Sequence, residues 1–192
     1  MPILIILGII AVYLFVTYNG FVTLKTRIKA SIQEIGNQLK RQADLIPNLE
    51  SSAKGYLTHE KGIFKMLADA RKAVSKAAES GDLDQAQKAQ DMLSQVLPKL
   101  QVVVESNPEI KGSEVVTKLM NELRDTTDKV MYARRTLIDL TADYNVKRVS
   151  FPSSILAGMF NFDEQPGLIT PESGEHVEAS SEELKTPKVD LN

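Results

Sequence analysis

The hydrophobic positions of this chain follow two patterns in turn. Residues 2–24, "PILIILGIIAVYLFVTYNGFVTL", contain no charged side chain. Over residues 28–77 the apolar positions recur at alternating intervals of four and three, and Gln42 and Glu60 are the polar exceptions in that series. An average interval of about 3.5 residues is typical of helices that pack along a coiled-coil-like seam. The pattern predicts an apolar helix that continues into a long amphipathic one.

The uncharged run predicts a transmembrane anchor at residues 1–24. A helix of that run measures ~33 Å, which is enough to cross a hydrocarbon core of ~30 Å. A buried core helix is the alternative. A cleaved signal peptide would need basic residues ahead of the run and a small-residue cleavage site, and the run has neither. Because Lys25, Arg27 and Lys29 follow the span, we expect a single-pass protein of the inner (cytoplasmic) membrane with its N-terminus outside and its body in the cytoplasm.

Pro47 lies in the middle of the amphipathic pattern without changing its phase. A proline inside a helix removes one hydrogen-bond donor and clashes with the carbonyl four residues earlier, at a cost of ~3 kcal/mol. The unbroken phase favours one long helix that bends at Pro47. A break into two antiparallel helices is the alternative.

Two further seams follow, over residues 83–104 and 116–144. Asp82 and Ser113 stand immediately before them and are suited to cap the two helices. Residues 106–112, "SNPEIKG", are expected to form a loop, because the residue before a proline is pushed out of helical geometry.

Together these seams predict an all-α fold, in which a transmembrane helix continues into an elongated antiparallel bundle of three to four helices over residues 25–162. The short apolar segment 151–162 is expected either to dock on the bundle or to lie on a membrane surface. Residues 163–192 lose the periodicity and are rich in Pro, Gly, Ser and Glu, so they are expected to form a disordered acidic tail.

Composition narrows the functional classes. The absence of cysteine excludes a disulfide framework and a thiolate nucleophile. The net charge of −2 divides into a mildly basic body and an acidic tail that holds eight acidic residues and two lysines. That basic surplus is too weak to indicate a nucleic-acid partner. No phosphate loop or nucleophile elbow is found, so we expect no enzyme activity, no catalytic residue, no cofactor and no small-molecule substrate.

The pair His59-Glu60 resembles half of a zinc-protease motif. That motif needs a second histidine one helical turn later, where this chain has Ile63, and the other histidine is His176 in the tail. We therefore expect no metal site. Glu60 and Gln42 are better interpreted as polar seam positions that set helix register.

Two basic pairs, Lys40-Arg41 and Arg134-Arg135, are candidate interaction residues. They could form one docking patch for an anionic partner. The alternative is that each pairs with acidic neighbours on an exposed helix face. Pro47 is a further candidate residue, since a bend there could set the tilt of the elongated bundle against the membrane or against neighbouring subunits.

Three segments carry a resemblance to a known family: "QLKRQADLIPNLESSAKGYLTHE" at 38–60, "NELRDTTDKVMYAR" at 121–134 and "FPSSILAGMF" at 151–160. Over residues 1–162 the chain resembles the LemA family of bacterial membrane proteins. The resemblance implies an elongated helical bundle, and the family's biochemical activity is not established. A magnetosome member implies a membrane-organising role, and gene neighbours of other members imply a link to membrane metallopeptidases.

Two functions remain open on this basis. The first is a non-enzymatic scaffold that forms homo-oligomers and organises or shapes the membrane. The second is an adaptor or regulator of another membrane protein, such as a metallopeptidase. The seams suit either, because a seam can pair within one chain or between chains.

Overall fold

The computed structural model describes residues 2–54, 60–111 and 113–167, and all of the regular secondary structure in these ranges is helical. This confirms the all-α prediction. The helices are α1 (Pro2–Ala53), α2 (Lys61–Ser80), α3 (Leu83–Ser106), α4 (Pro108–Lys111), α5 (Glu114–Val149) and α6 (Ser153–Met159).

The four long helices form an up-down-up-down bundle. Helices α1 and α5 are antiparallel, since Phe21 packs on Tyr144 near one end and Arg41 pairs with Glu122 further along. Helix α2 folds back along α1, and α3 folds back along α2 through the turn at Gly81. Short connections of this kind place consecutive helices side by side.

Helix α1 passes through Pro47 without interruption, as the unbroken phase predicted. The side-chain Nδ2 of Asn48 donates to the carbonyl of Asp44 at 2.9 Å. This bond goes to the carbonyl four residues before Asn48 and not to Ala43, whose carbonyl is the one that Pro47 leaves without its helical donor. The bend at Pro47 stays a prediction.

The prediction that this helix continues to residue 77 is wrong. Helix α1 ends at Ala53 and α2 begins at Lys61. The ion pair between Glu50 and Arg71 shows that the two helices lie side by side. Ala53 and Leu67, the buried residues on either side of the connection, are 14 residues apart, which is two heptads, so the sequence phase is the same on both sides. A continuous helix and a helical hairpin therefore leave the same periodicity here.

The helix ends largely follow local sequence. Gly81 has φ of 66°, the left-handed conformation that favours glycine after a helix. The Asp82 side chain accepts hydrogen bonds from the backbone N–H groups two and three residues ahead, and Ser113 accepts one from the N–H three residues ahead, so both predicted caps are confirmed. The predicted loop at 106–112 is wrong in part, because Pro108 starts the short helix α4 and Ile110 is fully buried.

The bundle has two ends of different construction. Helix α3 runs parallel to α1, and Gln90 of α3 contacts Gln42 of α1. Helix α3 begins seven residues before Gln90, or ~10 Å closer to the apolar run, which is the level of Ile35 on α1. We call the part beyond that level the proximal end: residues 17–35 of α1, residues 130–149 of α5, and α6. The remainder, with α2 and α3, is the distal end.

Helix α1 meets the length and composition required of a membrane span, and in the described ranges it is the one helix that does so. Its residues 2–16 are exposed, and burial begins at Thr17 and Phe21. Residues 2–16 thus project from the proximal end of the bundle, and the rest of the uncharged run packs on it.

Candidate functional site

The distal core contains a polar layer formed by Gln42, Gln90 and Thr127, contributed by α1, α3 and α5. All three side chains are buried. Gln90 Nε2 donates to Gln42 Oε1 at 2.8 Å, and Gln42 Nε2 donates back to Gln90 Oε1 at 3.3 Å. The Gln42 amide also donates to Thr127 Oγ1 at 3.3 Å.

Each donor atom in this layer has at least one acceptor. The Thr127 hydroxyl donates to the carbonyl of Leu123 at 2.9 Å, which leaves its oxygen free to accept from Gln42. A buried amide left without a partner costs about 1–3 kcal/mol, so sliding one helix against the others is unfavourable. The predicted role of Gln42 as a buried polar seam residue is consistent with this geometry, which locks the register of three helices at once.

A second polar contact links α1 to α2. Glu50 is almost buried, and its Oε2 accepts a hydrogen bond from Nη1 of the half-exposed Arg71 at 2.7 Å. Sequence reasoning did not find this pair. A helix in a four-helix bundle buries a wider stripe than its two seam positions. Glu50 follows the seam residue Leu49 directly, so its partial burial could have been predicted from the sequence.

The seam role expected for Glu60 is wrong. Its side chain is exposed and makes no cap hydrogen bond, although it is the residue that precedes α2. Its backbone carbonyl accepts from the N–H groups of Ile63 and Phe64, as the first turn of a helix requires. The neighbouring His59 lies outside the described residues.

Lys40 and Arg41 lie on the exposed face of α1. Arg41 forms an ion pair and hydrogen bond with Glu122 of α5, and this carboxylate raises the pKa of Arg41. The pair is solvent-exposed, so its contribution to stability is small. For Arg41 the structure favours pairing with an acidic neighbour over a free docking surface.

Arg134 and Arg135 have a different environment. Arg134 is half-buried, and burial lowers its pKa while the nearby Asp91 opposes that shift. Arg135 is exposed. Arg134 is twelve residues beyond Glu122, about 18 Å along α5. One docking patch formed by the two basic pairs stays a prediction.

An aromatic cluster closes the proximal end. The rings of Phe21 and Phe162 stack with their centres 4.7 Å apart, and Phe21 meets Tyr144 edge-on at 5.6 Å. Tyr18 contacts Phe160 edge-on at 5.0 Å. Offset and edge-on rings add about 0.5–1.5 kcal/mol per pair beyond the area that they bury. The cluster joins α1, α5 and the residues after α6 into one unit.

Charged groups border this cluster. Lys147 Nζ lies 5.0 Å from the centre of the Phe21 ring, in cation–π geometry. Gly20 makes room for the ammonium group, since a Cβ at that position would lie 2.0 Å from Nζ. Burial raises the pKa of Tyr144 above its ordinary value.

In the part of the chain that the structure describes, no group of three or more His, Asp or Glu side chains is placed to hold a metal ion. The groove between α1 and α5, which Ser31, Tyr132 and Leu140 line, is open to solvent along its length.

A family model described as the LemA family matches residues 31–185. The chain belongs to the LemA family. It is also similar to the magnetosome protein MamQ of Magnetospirillum gryphiswaldense (strain DSM 6361 / JCM 21280 / NBRC 15271 / MSR-1), with 23% identity over 187 residues that cover 82% of this chain and 69% of MamQ. The family match extends past Phe162, so the expectation that the resemblance stops there is wrong.

The first residues of the predicted tail pack on the bundle of this LemA protein. Asn145 Nδ2 donates to the Gln165 carbonyl at 2.9 Å, and the Gln165 N–H donates to Asn145 Oδ1 at 3.1 Å. Glu164 lies 3.6 Å from Arg148. The bundle thus includes residues beyond the predicted boundary at 162, and residues 168–192 lie outside the described ranges.

Helix α6 of the LemA bundle docks through Leu156 and Ala157, which are buried. This confirms the docking prediction, although Ile155, Met159 and Phe160 stay exposed. The apolar segment 151–162 therefore presents one face to the bundle and another away from it. Only part of the segment is used for packing.

Proposed function

We propose that this protein is a membrane-anchored, non-enzymatic scaffold whose copies associate with one another and organise or shape the membrane. The observation that carries the proposal is the continuity of α1. One helix runs from the uncharged segment to Ala53, through the level at which the other helices join it. No loop interrupts it between the span and the bundle, so a force or tilt applied to the bundle is transmitted to the span.

The surface of the proximal end supports self-association. Among the described residues, α1, α5, α6 and the few residues after α6 build this end. It leaves Ile32, Tyr132 and Ile138 exposed, with Tyr132 at 75%. Of these three side chains, Tyr132 is the one that supports self-association, because contiguous exposed apolar surface marks interaction sites and Tyr132 borders a groove between two helices. Tyr132 lies on the groove between α1 and α5, where a helix of a second copy could pack.

The orientation and the membrane are part of the same proposal. Lys25, Arg27 and Lys29 are exposed on α1 directly after the uncharged run, which favours a cytoplasmic bundle and an N-terminus outside. The similarity to a magnetosome protein supports a membrane-related role.

Cross-linking tests self-association directly, because the chain has no cysteine of its own. Tyr132→Cys places a single thiol on the proximal groove, and Val102→Cys places one on the exposed face of α3 as a matched control. In native membranes treated with a short thiol cross-linker, we expect Tyr132→Cys to give dimers of this chain and Val102→Cys to give few.

The same experiment separates the alternatives. Tyr132→Cys that stays monomeric, in protein that also runs as a monomer in mild detergent, would overturn the scaffold proposal. A cross-linked product that contains a foreign membrane protein in equal amount would indicate the adaptor function instead. Labelling Val102→Cys with a membrane-impermeant thiol reagent, in intact and in broken cells, tests the orientation.

A further inference from the structure

The uncharged segment of α1 overlaps the bundle. The run without charges continues to Leu24, whereas packing on the bundle already begins at Thr17. The exposed part, residues 2–16, amounts to ~22 Å of helix, which is less than the ~30 Å of a hydrocarbon core. If the whole uncharged run lies in the membrane, the residues packed against 17–24 are drawn to the membrane with it.

The residues packed there belong to the end of α5, where Tyr144 contacts Phe21, and to α6 and its flanks. Phe160 contacts Tyr18, and Phe162 stacks on Phe21. The chain has no charged side chain over residues 149–162, so this segment adds no charge to that region.

Helix α6 and Phe151, two residues before it, also present an apolar face that the described part of the bundle does not cover. Phe151, Ile155 and Met159 are 83%, 56% and 69% exposed. Exposed side chains of this size on a short segment cost free energy in water, and a membrane interface removes that cost.

The charges around α6 fit a membrane surface. Lys25 and Arg27 follow the run on α1, and Lys147 lies beside the aromatic cluster at the end of α5. Long cationic side chains at this depth can extend to the headgroups while their methylenes stay among apolar groups. Asp163 and Glu164 come directly after the uncharged segment and are exposed, which sets the limit of the part that can enter the bilayer.

We propose that α6 is a second membrane contact: an interfacial helix that inserts Phe151, Ile155 and Met159 into the leaflet nearest the bundle, beside the span. Two contacts fix the rotation of the bundle about the span axis, which one helix alone would leave free. The proposal rests on the anchoring part of the proposed function. It is independent of self-association.

Tryptophan fluorescence tests this placement, because the chain has no native tryptophan. Full-length Ile155→Trp is reconstituted in vesicles of phosphatidylcholine and phosphatidylglycerol, with and without lipid brominated near the start of the acyl chains. Phe15→Trp on the span is the positive reference, and Val102→Trp on α3 is the control in water. Each of the three positions is exposed, so tryptophan needs no repacking of the core.

We expect Ile155→Trp to lose about half of its fluorescence to the brominated lipid, because an interfacial helix lies ~5–10 Å into the headgroup and acyl boundary. Phe15→Trp should be quenched too, and Val102→Trp should be almost unchanged. Met159→Trp serves as a second variant if Ile155→Trp fails to fold.

Quenching at Phe15→Trp without quenching at Ile155→Trp and Met159→Trp would overturn the proposal. A blue-shifted but unquenched Ile155→Trp would overturn it as well, and would show that a second copy covers this face. Absence of quenching at Phe15→Trp would overturn the anchor itself, so failure of the proposed function is seen separately.

Discussion

The two ends of the bundle are built on the same helical repeat but are held together by different interactions. At the distal end, four helices surround Gln42, Gln90 and Thr127, whose hydrogen bonds specify register. At the proximal end, α1 and α5 are joined by α6, and aromatic rings such as Phe21 and Phe162 fill the space. The comparison shows that periodicity alone does not decide how a segment is used.

The difference between the two ends follows from their different numbers of helices. Identical apolar seams can slide by one heptad with little loss, so a four-helix core benefits from one polar layer that penalises the wrong register. The proximal end has fewer helices and leaves apolar side chains uncovered. It needs another surface for those side chains, and a membrane or a second copy of the chain provides one.

Removing the Phe21 ring should have the largest effect on this comparison. Phe21→Ala deletes a fully buried side chain from the aromatic cluster and is expected to cost about 3–5 kcal/mol of unfolding free energy. Thermal unfolding in detergent measures the loss, with the exposed Phe15→Ala as control. If the two ends are separate units, hydrogen exchange should speed up in α6 and far less in α2 and α3. A uniform increase would show that they unfold together.

Breaking the polar layer comes next. Gln42→Leu leaves the Gln90 amide with fewer partners in an otherwise apolar core, so we expect a loss of about 1–3 kcal/mol in urea unfolding. Gln33→Leu on the exposed face of the same helix is the matched control. The double variant Gln42→Leu with Gln90→Leu should regain part of the stability. If Gln42→Leu is as stable as the parent, the layer does not contribute in the way argued above.

The sequence predicted the helices well, because periodicity and capping are local properties. Asp82 and Ser113 could be recognised as caps from the residues around them. The hairpin between α1 and α2 could not be recognised in the same way. The buried residues on either side of it, Ala53 and Leu67, are two heptads apart, so the repeat continues across the connection without a change of phase.

The candidate sites were less predictable, because they depend on contacts between distant parts of the chain. The polar character of Gln42 was visible, but its partners are 48 and 85 residues away. The contact of Tyr18 with Phe160 joins the start of the chain to its last helix. Such pairings require knowledge of which helices are neighbours, and a single sequence does not provide it.

Pro47 lies in the distal end of the bundle, and its replacement by alanine should stabilise the bundle modestly. Pro47→Ala restores a backbone donor to a continuous helix, while the unfolded chain gains freedom. We expect unfolding free energy to stay level or to rise by about 1 kcal/mol, with Pro98→Ala in α3 as a comparison. Assembly size or membrane shape, seen by negative-stain imaging, should change for Pro47→Ala alone. Destabilisation would show that the proline suits the local geometry.

The smallest effect is expected at Asp82, on the turn that ends the four-helix region. Hydrogen bonds from the backbone N–H groups of Gln85 and Asp84 lower the pKa of Asp82 in the folded protein. The cap therefore stabilises the fold above the unfolded pKa of about 3.9, and that contribution is lost as pH falls through the lower folded pKa. Urea midpoints of the parent and Asp82→Ala should differ at neutral pH and converge toward pH 3 or below (about one unit under the unfolded value). Asp82→Asn keeps a capping oxygen without a titrating group, so its midpoint relative to Asp82→Ala should not change with pH. A gap between parent and Asp82→Ala that persists in acid would mean that the charge of Asp82 does not hold the turn, and that the end of the four-helix region is fixed by packing alone.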